Sequence, residues 1–250
     1  MKLEHASWME VKKYLFKPRG ILLPIGSTEQ HGPIGLIGTD TICSSIVADG
    51  VSEKTRMYVA PKISYTPAEF NMKFAGTVSI SVEIFKGLVR EVIISLLKHG
   101  FKFVYIINGH GANIDPVKEL IEEVNNYNIF IKSWWDFPEV NLLRKKFFGE
   151  WEGMHATPSE ISITQINNRI IKNKIYRSFA KNPPKKLSAK FIKEHSGDKH
   201  GSPDEHYSLF PDGRVGSHSA LANPELGKLL LNSSIKEIIK DIKLIEKSIH

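Results

Sequence analysis

Apolar runs that stop abruptly in glycine-rich polar loops set the pattern of this chain. Residues 20 to 25, Gly-Ile-Leu-Leu-Pro-Ile, form an unbroken apolar stretch closed by Gly26-Ser27-Thr28, which predicts a buried strand ending in a loop. Residues 102 to 107, Lys-Phe-Val-Tyr-Ile-Ile, are a second β-rich run that ends at Asn108-Gly109-His110-Gly111, and Asn128 to Trp134 reads as a third. Between them the period changes. Phe85, Leu88, Val89, Val92, Ile93, Leu96 and Leu97 recur three and four apart, with Ser81 as N-cap and Gly100 as the stop, and predict a helix. Asp115-Pro116 supplies an N-cap and first turn for another helix, carrying Leu120, Ile121 and Val124. From Asn223-Pro224-Glu225 to residue 249, leucines and isoleucines at helical spacing predict a closing helix. Residues 182 to 218 interleave Pro183, Pro184, Gly197, Gly201, Pro203, Pro211, Gly213 and Gly216 with Lys, Asp and His, and read as a long irregular segment.

The alternation of strand, loop and helix implies an α/β fold with a mainly parallel sheet covered by helices, in one domain over residues 1 to 250. In such sheets ligands bind outside the carboxyl ends of the strands, where the polar clusters of this chain fall. Charge and cysteine content narrow the classes. The net charge of +7 suggests nucleic acid or an anionic substrate, but the lysines are spread along the chain rather than gathered in one patch, so nucleic acid is not expected as a partner. The most apolar stretch, 80 to 97, is broken by Glu83, Lys86, Arg90 and Glu91. Neither a membrane span nor a secretion signal is expected, and the cytoplasm is the expected compartment. Cys43 is the single cysteine; it rules out an internal disulfide or a cysteine-based zinc site, and is expected to pack as a small apolar group.

Three clusters carry candidate chemistry. Glu29-Gln30-His31-Gly32 and Thr39-Asp40-Thr41 place two carboxylates and an imidazole within twelve residues, a ligand set suited to zinc, manganese or iron. Residues two apart in an extended backbone share a face, and the glycines at 32, 35 and 38 let the loop bring Asp40 back. The plainer reading makes Glu29 and Asp40 helix caps and His31 a satisfied loop histidine. His110, on a tight glycine loop after a strand, is a second histidine in an equivalent position. The third cluster, Met154 to Ser162, adds His155 for proton transfer and Glu160 for a metal or for catalysis; here the plainer reading is a capped helix starting near Pro158, with Glu160 as its first-turn acid.

Together these clusters resemble the creatininase, or creatinine amidohydrolase, family from about Gly20 to the C-terminal helix. The family's Pro-hydrophobic-Gly-Ser-x-Glu-Gln-His-Gly-Pro and Gly-Thr-Asp stand here as Pro24 to Pro33 and Gly38 to Asp40. Its Phe-Pro-Gly-Thr stands as Phe74-Ala75-Gly76-Thr77, its Asn-Gly-His-Gly-Gly-Asn as Asn108 to Asn113, and its His-Ala-Gly-x-x-Glu-Thr-Ser as His155 to Ser162.

The resemblance implies a three-layer α/β/α sandwich, a homohexamer, and two divalent metal ions per chain. It implies Glu29 and His110 on one metal, His31 on the other and Asp40 between them. Water activated by the two cations would break a C–N bond other than a main-chain peptide in a small molecule, with His155 moving the proton. Gly111, Asn113 and Trp135 are the expected substrate contacts. Three departures bear on the pocket. Ala112 stands where creatinine-opening enzymes carry a liganding glutamate, with Glu160 as the local substitute; Glu69-Phe70 replaces Glu-His; and Pro158 and Ser159 replace part of the usual His-Ala-Gly stretch.

These changes point away from creatinine and toward another small cyclic amide, amidine or formamide. The family's alternatives include a deformylase acting on a formylaminopyrimidine ribonucleotide in flavin and deazaflavin biosynthesis, and a peptidase that trims a modified peptide. A phosphate-bearing substrate would draw on Lys73, Lys199 or Arg214. A reading of another class is a non-catalytic, metal-stabilised oligomer that binds a ligand. Trp134 and Trp135 suit a subunit interface or a stacked heterocycle, and His195, His200, His206 and His218 are expected to cover the pocket or be solvated.

Overall fold

The computed structural model describes residues 1 to 17, 19 to 124 and 128 to 249. Its helices and strands run α1 (Trp8–Tyr14), β1 (Ile21–Ile25), α2 (Thr39–Thr55), β2 (Tyr58–Val59), α3 (Val82–Lys98), β3 (Val104–Asn108), α4 (Ile114–Val124), β4 (Ile129–Ser133) and α5 (Pro138–Phe148). The remainder is helical: α6 (Pro158–Thr164), α7 (Lys174–Lys181), α8 (Ala189–Glu194), α9 (Pro203–Leu209) and α10 (Pro224–Ser248). The four strands form one parallel sheet in the order β2-β1-β3-β4.

Strand periodicity divides the core into two layers. Leu22, Tyr105 and Ile107 pack with Val47 of α2, Val140 of α5, Ile163 of α6 and Leu230, Ile238 and Ile242 of α10. Leu23, Ile25, Val104 and Ile106 point the other way, onto Phe85, Val89 and Ile93 of α3 and Val117 and Leu120 of α4. All five residues of β1 and of β3 are buried, which explains why those runs are apolar without alternation. The sandwich is therefore α/β/α, as expected. Cys43 sits in the first of these layers, fully buried.

Local chemistry places the ends of the elements. The Ser81 hydroxyl accepts from the Ile84 amide at the start of α3, and Gly100, at φ +103°, follows its last turn. The Asn223 side chain caps α10 through the Glu225 amide. Two expectations need correction. Asp115 does not cap α4: a 3-10 turn over Gly111–Asn113 leads directly into Ile114, which leaves Asp115 inside the first turn. Residues 182 to 218 are not irregular throughout, because α8 and α9 lie within them, capped by Ser188 and Ser202. Among the described residues no helix is long and apolar enough to cross a membrane.

One contact ties the sheet to the functional residues. The first turn of α2 presses on the ends of β1 and β3 so closely that a Cβ at Gly26 would collide with the Thr41 backbone and a Cβ at Gly109 with the Asp40 carbonyl oxygen. Gly109→Ala is expected to destabilise the chain by about 1–3 kcal/mol, the usual cost of overpacking, and to push Asp40 out of place. A lowered urea midpoint together with weakened zinc retention would check this; an unchanged midpoint would refute the close contact.

Candidate metal centre

The carboxyl ends of β1 and β3 open into one shared cleft. The loop after β1 carries Glu29 and His31, the first turn of α2 carries Asp40, the loop after β3 carries His110, and the start of α6 is flanked by His155 and Glu160. All six are buried. Their donor atoms converge into three sets: Glu29, Asp40 and His110; His31, Asp40 and Glu160; and Glu29, His31 and His155. His110 Nδ1 lies 3.2 Å from Glu29 Oε1 and 3.2 Å from Asp40 Oδ2. His31 Nε2 lies 2.9 Å from Asp40 Oδ1 and 3.9 Å from Glu160 Oε1. Thus the two oxygens of Asp40 face two different histidines.

The second nitrogen of each imidazole fixes its tautomer. His110 Nε2 donates to the Pro67 carbonyl at 2.8 Å, and His31 Nδ1 to the Glu29 carbonyl at 3.1 Å. His155 Nε2 donates to the Gln30 carbonyl at 2.7 Å, because the Gln30 amide already has acceptors in Asn71 Oδ1 and the Gly213 carbonyl. In each ring the remaining nitrogen points its lone pair toward carboxylate oxygens, with His155 Nδ1 3.4 Å from Glu29 Oε1.

Such nitrogens and oxygens meet in a buried site only with a proton or a metal ion between them. Glu29 Oε1 and Asp40 Oδ2 have no hydrogen-bond partner, whereas Glu29 Oε2 is held by Asn71 Nδ2 at 2.8 Å. These orphaned oxygens and oriented imidazoles fit divalent metal.

Electrostatics points the same way. Burial alone would lower the pKa of His31, but Asp40, Glu160 and Glu29 outweigh it and raise it to about 10. Burial also works against a charged His110, yet Glu29 and Asp40 lift its pKa well above 6.5. Burial raises Glu160 to about 8 against the pull of His31. His155 goes the other way: burial lowers it to about 4, with Glu29 opposing. The neighbouring carboxylates thus draw positive charge onto His31 and His110, while His155 remains a neutral base at pH 7.

The cleft has a volume of about 390 Å³. Of the residues expected to contact substrate, Gly111 and Trp135 line it. Asn113 does not: it is fully buried, and its amide donates to the Gly26 carbonyl at 2.9 Å and to Asn108 Oδ1 at 3.1 Å, bracing the two loops. Lys73, Lys199 and Arg214 also lie outside the lining. Lys73 pairs with Asp204 at 2.6 Å and Lys199 with Asp115 at 2.9 Å on the surface, whereas buried Arg214 binds Asp212 and the carbonyls of Ala180 and Asn182.

The histidines of the 195 to 218 segment are packed rather than solvated. The His200 ring lies 4.6 Å and the His206 ring 5.0 Å from Phe70, and His206 is buried. Phe70, where the resemblance would place a histidine, thus serves as packing and offers no ligand.

Three contributors escaped the sequence reading. Asn71 orients Glu29, and Arg144 lines the cleft. Asp198 lies over the cleft mouth with Oδ2 3.7 Å from His110 Nδ1, in a left-handed conformation at φ +54°. Only Asp198 left a trace in the sequence, as a carboxylate beside a glycine in a histidine-rich stretch.

Comparison with known proteins bears on the family and the fold. The profile of the family Creatininase, described as creatinine amidohydrolase, matches residues 4–242. A mycofactocin precursor peptide peptidase from Mycobacterium ulcerans is 34% identical over 115 residues, 42% of this chain and 45% of that protein. A creatinine amidohydrolase from Pseudomonas putida is 24% identical over 161 residues, 57% of this chain and 62% of that protein. The matched stretches thus span about half to three fifths of those relatives. A solved structure titled "Creatininase Mn" superposes with a TM-score of 0.77 at 20% identity, covering 97% of each chain, which establishes a shared fold.

Proposed function

The chain belongs to the creatininase family, and from that premise we propose that it is a metal-dependent amidohydrolase holding two divalent cations. Its reaction is cleavage of a non-peptide C–N bond in a small cyclic amide, amidine or formamide. The observation that carries this reading is the pair of orphaned buried oxygens, Glu29 Oε1 and Asp40 Oδ2, facing oriented imidazoles. Glu29, Asp40 and His110 would hold one cation and His31, Asp40 and Glu160 the other, with Glu160 supplying the carboxylate that Ala112 does not. Nitrogen and oxygen donors of this kind suit zinc, manganese or iron. When bound, the pair would supply Lewis acidity and make the attacking water acidic near neutral pH.

The chain's own groups do the rest. His155, neutral and anchored through Nε2 on the Gln30 carbonyl, presents Nδ1 to the centre. There it accepts the proton released by the attacking water and returns it to the leaving nitrogen. Asn71 keeps Glu29 turned toward His110. Trp135, half-buried in the wall, offers a flat face to a planar substrate.

The test is to strip the protein with a chelator, reload it with zinc or manganese, and follow hydrolysis of creatinine, N-formyl compounds and small cyclic amides. Activity is expected to return at about two equivalents per chain. Loading should also release protons at pH 7, because His31 and His110 titrate above that pH and a cation must displace what they hold. Apparent metal affinity should therefore rise as pH rises toward about 10 and weaken as pH falls. Protein that binds no cation after reloading would sink the proposal.

A further inference from the structure

Of the 34 lysines and arginines in the chain, only Arg144 lines the cleft among the described residues. It projects from α5 and is fixed on three sides. Nε donates to Glu152 Oε1 at 2.9 Å, Nη1 donates to Asn141 Oδ1 at 2.8 Å, and the guanidinium carbon lies 5.8 Å from the centre of the Trp134 ring. Its side chain is 18% exposed. Nη2 makes no hydrogen bond to the protein among the described residues.

A guanidinium has five donors in a planar fork matched to carboxylate or phosphate. This one is held rigid, so little side-chain entropy is lost when it takes a ligand. Glu152 does not satisfy it: the contact is through Nε and one oxygen, and that oxygen also accepts from the Ser159 hydroxyl. The other side chains of formal charge lining the cleft are carboxylates, among them Asp136 and Asp198. An anionic group entering the cleft therefore has one lysine or arginine side chain to bind, at the wall where Arg144 stands against Trp134.

We infer that Arg144 is the specificity-determining residue of this site and that the substrate is a small amide or formamide bearing a carboxylate or phosphate. The inference deepens the amidohydrolase reading and rests on it for the scissile bond. The oxyanion sits on the free edge of Arg144, which directs the C–N bond toward Glu29, Asp40 and His155. A mere brace between α5 and Glu152 would leave ligand choice untouched.

The probes are N-methylformamide, N-formylglycine and N-formyl-2-aminoethyl phosphate, which share a formamide and differ in the anion. Zinc-loaded protein is titrated with each while tryptophan emission is followed, and formate release is measured on the same samples. The two anionic probes are expected to bind at least about tenfold more tightly than the neutral one, since a charge-assisted bidentate contact outweighs a neutral one. Whichever anion gains more identifies the group. In R144Q the three probes should bind alike, and R144K should keep part of the preference.

No anion preference in the wild type, whether all three quench equally or none does, overturns the inference. So does a preference that survives R144Q, which would place the anion on the metals. If R144Q does not fold, R144K decides: a reduced preference supports the anchor and an unchanged one removes it. An Arg144-dependent preference without formate release leaves the anchor standing and removes the formamide hydrolysis.

Discussion

Asp40→Asn is expected to leave the chain folded but unable to retain metal, with content falling from about two ions per chain to well under one and hydrolysis falling at least a thousandfold. The expectation follows from the division of labour within one carboxylate. Asp40 Oδ1 faces His31 at 2.9 Å and Asp40 Oδ2 faces His110 at 3.2 Å, so it contributes to both proposed ligand sets. Asparagine keeps the shape while removing a charge and turning one oxygen into a donor. A donor aimed at a cation is worse than no ligand, and outer partners of metal ligands alone are worth roughly 10- to 100-fold. Glu160→Gln, which touches only the set with His31, should cost one metal. Elemental analysis after dialysis separates the two variants. An Asp40→Asn chain that keeps both metals would show that the centre is not built around this residue.

The legible and illegible parts of this protein differ in the range of the interactions that determine them. The helix from Val82 to Lys98 and the strands Ile21–Ile25 and Val104–Asn108 follow from local periodicity, so the sequence reading found them. Glu29, His31 and His110 stand out because they lie in glycine-rich loops directly after strands, and Asp40, His155 and Glu160 because they lie at or just before the start of a helix. What sequence could not supply was their convergence, which depends on α2 meeting two strand ends through Gly26 and Gly109.

Elsewhere a signal was present and outweighed. Ser202-Pro203-Asp204-Glu205 is a capping box with proline at its first helical position, but the surrounding glycines and prolines made residues 182 to 218 look irregular. Glu160 shows that two readings of one residue can both hold. It closes a capping box with Thr157 and also faces His31.

Arg144 left no trace because its meaning is positional. On α5, Arg144 looks like one cation among several on a solvated face, beside Lys145 and Lys146. Only the tertiary fold turns it toward Trp134 and the cleft. Asn113 fails in the opposite sense, since the motif that contains it is a motif of loop construction as well as of ligand contact. Its amide joins the Gly26 carbonyl to Asn108, and so holds together the two loops that carry Glu29 and His110.

His155→Ala separates an enzyme from a metal-stabilised ligand binder, and is expected to lower hydrolysis by roughly 10²- to 10⁴-fold, the usual contribution of a positioned acid–base group, while metal content stays at the wild-type level. The ring is buried with Nε2 on the Gln30 carbonyl and Nδ1 3.4 Å from Glu29 Oε1, close enough to exchange a proton at the centre. The two proposed metal sets are complete without it, each having an imidazole and two carboxylates. Burial holds its pKa at about 4, so it is a neutral base throughout the neutral range, and the wild-type rate should fall as pH drops toward 4 and the base is lost. In the variant the arm of the pH profile due to this group should disappear. Loss of metal together with activity would instead make His155 a ligand in the set with Glu29 and His31. Retention of both metal and full activity would remove it from the mechanism.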